Sequence, residues 1–276
     1  MSPSSKMLQP YRPKEIKVST SCETLMDAKA YLARIGYRER IRPNPDVLRR
    51  LHLKHLLSIP FENLDIHLGR PIVLSKNAFY DKIIKQHRGG FCYELNGLFA
   101  TLLDDLGFKV SMLSARVAQE GGRFSPNFDH MTLLVQLEHP WIVDVGFGDS
   151  FTEPKRLDMS GPQPDREKQY RFTRRDGWTL LSRKPKRNGV WEPQYLFSLR
   201  PRKLEEFIPR CRWQQTSPRS HFRKGRICTR LTSNGRLSLT DTKFIVTRGG
   251  RRSERLVKDP EEFAMLLRRH FGIDLN

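Results

Sequence analysis

The sequence predicts an α+β fold: helices first, then strands, then strands closed by a last helix. Two observations carry this. From about residue 25 to Gly107, apolar residues recur at helical spacing. After Gly107 the period changes to that of strands rich in β-branched and aromatic residues. Helices and strands do not alternate, which argues against a parallel βαβ sheet.

The first helix is predicted in MDAKAYLARIG, where Leu25, Ala28, Leu32 and Ile35 share a face and Gly36 ends the run. PDVLRRLHLKHLLS gives a second helix, stopped by Pro60, and NAFYDKIIKQ a third. In RGGFCYELNGLFATLLDDLG, Leu95, Leu98, Phe99, Leu102, Leu103 and Leu106 form one apolar stripe and Gly107 is a stop signal. Gly89 and Gly90 permit a tight bend into this helix, so Cys92 falls in its first turn. FKVSMLSARV, HMTLLVQL and WIVDVGFG read as strands, with a turn at Glu138–Pro140. Hairpins are expected at Asp176-Gly177 and at Asn234-Gly235, and a closing helix in PEEFAMLLRRHFG.

The 276 residues are enough for two or three compact units around large cores. Hydrophobic residues make up 37% and charged residues 29%, a soluble globular balance. No apolar run reaches the length of a membrane span, and the first 20 or so residues lack the apolar stretch of a secretory signal. Those residues read as a polar extension. The four cysteines form no CxxC pair and no zinc-ligand spacing, so no metal is expected and the thiols are expected free, in a reducing, cytoplasmic setting. The net charge is +20. Residues 155–276 hold 30 basic and 13 acidic residues, a net of +17. Such a region attracts polyanions: nucleic acid, an acidic surface, or a phosphate-rich molecule such as coenzyme A.

A thiol becomes a nucleophile as its thiolate, and a helix N-terminus favours the anion. Cys92 meets that condition. A histidine to take the proton and a polar group to orient it must come from elsewhere in the chain. His130 opens one strand and Asp144 lies in the next, where an acid among apolar neighbours needs a partner. A tight turn at Glu138–Pro140 sets Asp144 nearer Leu134 than His130, so a bulge or register offset is required to join them. Taken singly, Cys92 reads equally as a small buried hydrophobe, His130 as a structural histidine and Asp144 as a strand-end acid. The remaining histidines, His52 and His55 among them, lack an equally suggestive setting. Cys22, Cys211 and Cys228 read as non-catalytic.

RGGFCYELN at 88–96 closely resembles the active-cysteine motif of arylamine N-acetyltransferases. IPFENLDIH at 59–67, DHMTLLV at 129–135, IVDVGFG at 142–148, AYLARIGY near the start and TSPRSHF at 216–222 also fit that family, in order and with compatible spacing. The resemblance runs from about Met26 to the closing FGIDL and suggests a compact, bacterial-type member. It implies an N-terminal helical bundle, a central β-barrel and a C-terminal α/β lid around a cysteine-protease-like catalytic core. The expected divisions are 1–25 for the extension, 26–107 for the helical domain with the nucleophile, 108–194 for the barrel with His and Asp, and 195–276 for the lid. The resemblance also implies a triad of Cys92, His130 and Asp144. It implies acetyl-CoA as acyl donor and ping-pong transfer to an arylamine, arylhydroxylamine or hydrazine. Phe61 resembles the aromatic wall beside the acceptor, and Glu62 with Arg88 resembles a buried ion pair beneath the site. Phe128 is a further candidate for lining the acceptor pocket. The alternative within the fold is an amide synthase that releases an acyl chain from a carrier protein. A cysteine peptidase or transglutaminase-like enzyme uses the same triad. A nucleic-acid-binding protein is disfavoured, because it leaves the ordered motifs unexplained.

Overall fold

The computed structural model describes residues 27–185 and 189–275. The expected N-terminal extension and Cys22 lie outside the described residues.

The helical part opens with α1 (Ala28–Arg34), capped by Asp27, whose carboxylate accepts the Lys29 and Ala30 backbone N–H groups. Helix α2 (Pro45–Ser58) has Asn44 as its cap and Pro45 at its first position, where a missing N–H costs nothing. A short strand β1 (Phe61–Glu62) and a one-turn helix α3 (Leu64–His67) follow. The expected third helix is α4 (Lys76–Tyr80), which runs on into a π-helical turn at Asp81–Lys85. Helix α5 (Cys92–Asp105) begins at Cys92 and is buried on nearly every side. Its apolar stripe packs on Tyr31, Leu48, Leu51 and Phe79 from the other helices and on Leu133, Val135, Trp141 and Val143 of the sheet behind.

Eight strands then form one antiparallel sheet: β2 (Lys109–Val117), β3 (His130–Gln136), β4 (Pro140–Val143), β5 (Lys155–Arg156), β6 (Gln163–Asp165), β7 (Lys168–Arg175), β8 (Trp178–Pro185) and β9 (Glu192–Arg202). Their order is β5-β4-β3-β2-β9-β8-β7-β6. The sheet curls into a barrel whose two ends meet through side chains. Gln163 on β6 bonds the Arg156 backbone twice, at 2.9 and 2.8 Å, and Lys155 on β5 pairs with Asp165 on β6 at 2.7 Å. Leu113, Ala115, Ile142, Phe151, Tyr170, Leu181, Tyr195 and Phe197 form the barrel core. Strand β9 runs across the 194/195 division, and its bonds to β2 and β8 keep residues 195–202 with the barrel.

After α6 (Ile208–Thr216), a second antiparallel sheet contains β10 (Ile227–Thr232), β11 (Gly235–Thr240), β12 (Lys243–Arg248) and β13 (Arg251–Leu256), with β1 on its far edge. Helix α7 (Pro260–Phe271) covers it with Phe263, Leu266, Leu267 and Phe271, and Gly272 ends the helix in the left-handed region at φ +68°. The pairing of β1 with β10 ties this sheet back to the segment just before α5.

The hairpin at Asp176-Gly177 forms as expected, with Arg175 opposite Trp178 and both turn residues at positive φ. The other expected turn shifts by one residue. Thr232 pairs with Gly235, so the two-residue loop is Ser233-Asn234 and Gly235 belongs to the strand. A Cβ there would lie 1.8 Å from the Thr247 carbonyl oxygen, so this glycine serves close strand approach rather than the turn.

Candidate active site

Helix α5 delivers Cys92 at its first position. Neither Gly89 nor Gly90 has positive φ; the bend needs them for closeness instead. A Cβ on Gly89 would lie 2.1 Å from the Pro60 carbonyl oxygen, and one on Gly90 2.8 Å from the Glu94 Cβ. Glu94 reaches back to accept the Phe91 N–H at 3.0 Å, capping the helix that carries the thiol.

The register problem between His130 and Asp144 is solved by the expected offset, without a bulge: Leu134 lies opposite Ile142, which brings Asp144 two residues closer to His130. Leu133 pairs with Val143, and β4 stops there. The sequence reading placed Asp144 inside this strand; it lies one residue beyond, where the chain turns toward α5. His130 Nε2 meets Asp144 Oδ2 at 2.7 Å. Three further donors converge on the same carboxylate: Tyr195 O–H to Oδ2 at 2.9 Å, Asn96 Nδ2 to Oδ1 at 2.9 Å and the Gly146 N–H to Oδ1 at 3.0 Å. Asn96 lies one turn below Cys92 on α5 and is a hub. Its amide also donates to the Met131 carbonyl at 2.7 Å, and its oxygen accepts the Val145 N–H at 2.9 Å. A Cβ on Gly146 would meet the Cys92 Cα at 2.8 Å, so only glycine lets the Asp144 loop lie against the start of α5.

Burial works to raise the Asp144 pKa. The charge and hydrogen bond of His130, with the bonds from Asn96 and Gly146, outweigh it and hold the carboxyl below its ordinary value. With Nε2 committed to Asp144, Nδ1 is the nitrogen left to exchange a proton. Burial pushes the Cys92 thiol well up, the Asp129 carboxylate adds to this, and the Met131 N–H bond to the sulfur acts the other way. The thiol therefore depends on an adjacent base for its activation.

Beneath the thiol lies a buried ionic cluster. Arg88 bonds Glu62 Oε1 through Nε at 3.1 Å and NH2 at 2.8 Å, and reaches Asp65 at 3.0 Å. Lys82, delivered by the π turn, pairs with Asp65 at 2.8 Å and with Glu94 at 2.9 Å. Burial opposes the Lys82 charge, but the three carboxylates outweigh it and raise its pKa. The sequence pointed to Glu62 and Arg88. Asp65, Lys82 and Glu94 complete the cluster.

A cleft of about 630 Å³ opens over Cys92 and His130. Phe61, Phe147 and Phe222 give it an apolar wall; Lys224 and Arg226 supply cations, and Asp129 and Asp241 supply acids. Phe147 stands edge-on to the His130 ring, 5.1 Å between centroids. Phe128 is placed differently. Its ring packs on Phe207 at 5.1 Å beneath Arg202, and its carbonyl accepts the Tyr93 O–H at 2.7 Å. Cys211 and Cys228 are buried and free; burial pushes the Cys211 thiol up to about 12.

A helix-borne thiol and a barrel-borne imidazole and carboxylate around one site make the apparatus of an enzyme that moves acyl groups through a cysteine. The N-acetyltransferase family model matches residues 45–276. The chain is 36% identical over 252 residues to an arylamine N-acetyltransferase / N-hydroxyarylamine O-acetyltransferase of Salmonella typhimurium, covering 90% of this chain and 89% of that one. It is 36% identical over 258 residues to the arylamine N-acetyltransferase of Mycolicibacterium smegmatis, covering 91% and 93%. The solved Salmonella structure superposes with a TM-score of 0.84 at 34% identity, over 90% of this chain and 92% of that one. That of Mycobacterium marinum in complex with CoA gives 0.83 at 32%, over 90% and 93%. The chain belongs to the arylamine N-acetyltransferase family.

Proposed function

We propose that this chain moves an acetyl group from acetyl-CoA to an arylamine, arylhydroxylamine or hydrazine through an acetyl-cysteine at Cys92. One observation carries the reading. Cys92 and His130 come from separate segments and line one cleft, and Asp144, buried behind the imidazole, already orients it.

In the first half, Sγ of Cys92 attacks the thioester carbonyl and its proton passes to Nδ1 of His130. The carbon–sulfur bond to CoA breaks, and the CoA thiolate leaves with that proton. In the second half, the amine attacks the acetyl-cysteine and gives its proton to the same nitrogen. The amide departs and Cys92 is reprotonated. Asp144 stabilises the imidazolium formed in each half. Phe61, Phe147 and Phe222 suit an aromatic acceptor. Lys224 and Arg226 suit the phosphates of CoA, so the KM for acetyl-CoA is expected to rise with ionic strength. Glu62 and Arg88 hold the segment before α5 and take no part in the chemistry. Among the described residues no helix is long and apolar enough to cross a membrane, and free buried thiols fit a reducing cytoplasm.

The test is CoA release from acetyl-CoA with and without an aromatic amine or hydrazine, in the native chain and in Cys92→Ser. Amine-dependent release that vanishes in the variant is expected. Release that persists in Cys92→Ser overturns the reading. An acetylated Cys92 that no amine discharges redirects it to another acceptor class.

A further inference from the structure

His52 lies on α2, away from the cleft. Its ring is fully buried, stacked on Phe151 at 5.7 Å between centroids and edge-on to Phe99 at 6.4 Å. Nδ1 is 3.0 Å from the Thr152 carbonyl oxygen. Nε2 is 3.1 Å from the Asp144 carbonyl oxygen and 3.4 Å from the Asp144 backbone nitrogen. One ring therefore bridges the two ends of the loop that carries Val145, Gly146 and Phe147.

A neutral imidazole has a single N–H and cannot donate to both carbonyls. One arrangement satisfies the ring: Nδ1–H donates to Thr152 and Nε2 accepts the Asp144 N–H. Burial lowers the pKa of the ring, and it outweighs the Thr152 and Asp144 backbone bonds and the Asp144 and Asp165 carboxylates, all of which favour the charged form. Asp165 is already paired with Lys155, and His55 on the same helix is itself held neutral by burial.

We infer that His52, with its proton on Nδ1, is a positioning residue that staples the Asp144–Thr152 loop and so sets the reach of Asp144 to His130. The inference rests on the acyl-cysteine reading above. Three contacts depend on that loop: the Asp144 bond to His130, the seat of Gly146 on Cys92, and the edge of Phe147 on the His130 ring. A loop released at its Asp144 end loosens all three, and misplacement of about 1 Å costs up to about a hundredfold in rate.

Asparagine places its amide nitrogen near Nδ1 and keeps the Thr152 bond. Glutamine reaches the Asp144 backbone, where its carbonyl oxygen accepts the N–H. His52→Asn is expected to lower kcat by about tenfold to a hundredfold with the KM for acetyl-CoA little changed. It is also expected to shift the pH profile of Cys92 alkylation by iodoacetamide. His52→Gln restores much of both. In 15N-histidine NMR, the native chain shows one ring with a protonated Nδ1 and a bare Nε2 that disappears in His52→Asn. A bare Nδ1 overturns the inference. So do equal kcat losses in the two variants that follow their unfolding midpoints and leave the alkylation profile unmoved. If the native chain never acetylates Cys92, the acyl-cysteine reading fails, while the ring tautomer and the alkylation profile still decide the role of His52.

Discussion

Two groups of buried carboxylates flank the first turn of α5, and they are held in different ways. Glu62, Asp65 and Glu94 are met by Arg88 and Lys82, side chains whose charge is fixed near neutral pH. Asp144 is met by an amide, a backbone N–H, a phenol and one imidazole. The first arrangement is ionic and permanent. The second holds the acid with three uncharged donors and one imidazole, the partner that gains and loses a proton in the reaction. A structural cluster is tied by permanent cations, whereas a reactive one is held largely by fixed dipoles that leave its histidine free for chemistry.

The sharpest way to break the comparison is Asp144→Asn. It is expected to cut kcat by about four orders of magnitude, because the imidazole loses its tautomer control, while the fold survives on the remaining bonds. Steady-state rates beside a thermal melt check this. Arg88→Met should do the reverse. It leaves Glu62 and Asp65 short of a cation, costs about 3–5 kcal/mol in urea titration, and leaves the rate per folded molecule nearly unchanged.

Acidification acts alike on one acid of each cluster and oppositely on Glu94. Asp65 is held below its ordinary value: burial raises it, and Lys82 and Arg88 more than reverse this. Asp144 is depressed likewise. The stability each contributes is present above its unfolded pKa, ordinarily 3.8, and is lost as pH falls through the folded value. Glu94 is raised by burial, so its contribution runs the other way and is lost as pH rises through its folded value. A melting temperature that falls below about pH 4, less steeply in Asp65→Asn, is the expected result. The smallest effect is Tyr195→Phe. It removes one of four donors to Asp144 and should cost about 1.5–3 kcal/mol in stability, with a modest loss of kcat.

Much of this architecture can be read from the chain. Asn44-Pro45 and Pro60 bracket α2, and the position of Cys92 in the first turn of α5 follows from Gly89-Gly90 and the leucine stripe. Other elements are hidden for physical reasons. Strand β9 contains Pro193 and Pro201, which read as strand breakers, and the sheet accommodates it with register shifts beside β2 and β8. Helix α6, IPRCRWQQT, has too few apolar residues to show a face. Lys82 looks like a solvated helix lysine until the π turn aims it inward. Tyr195, Asn96 and His52 act on Asp144 across 51, 48 and 92 residues of sequence, distances over which local periodicity carries no signal. The family resemblance pointed to Asp144, but strand counting alone set it near Leu134 because it assumed a tight turn centred on His139; the chain pairs Leu134 with Ile142 instead.

The seat of Gly146 on the Cys92 Cα has a consequence for biosynthesis. The ribosome makes Cys92 54 residues before the Gly146 that must lie against it (146 − 92), and the amino-terminal part of a chain folds first. Until the barrel docks, the nascent chain holds a thiol with no imidazole to deprotonate it. Reactivity thus arrives with the completed molecule, and an unfinished chain cannot capture an acyl group it has no means to pass on.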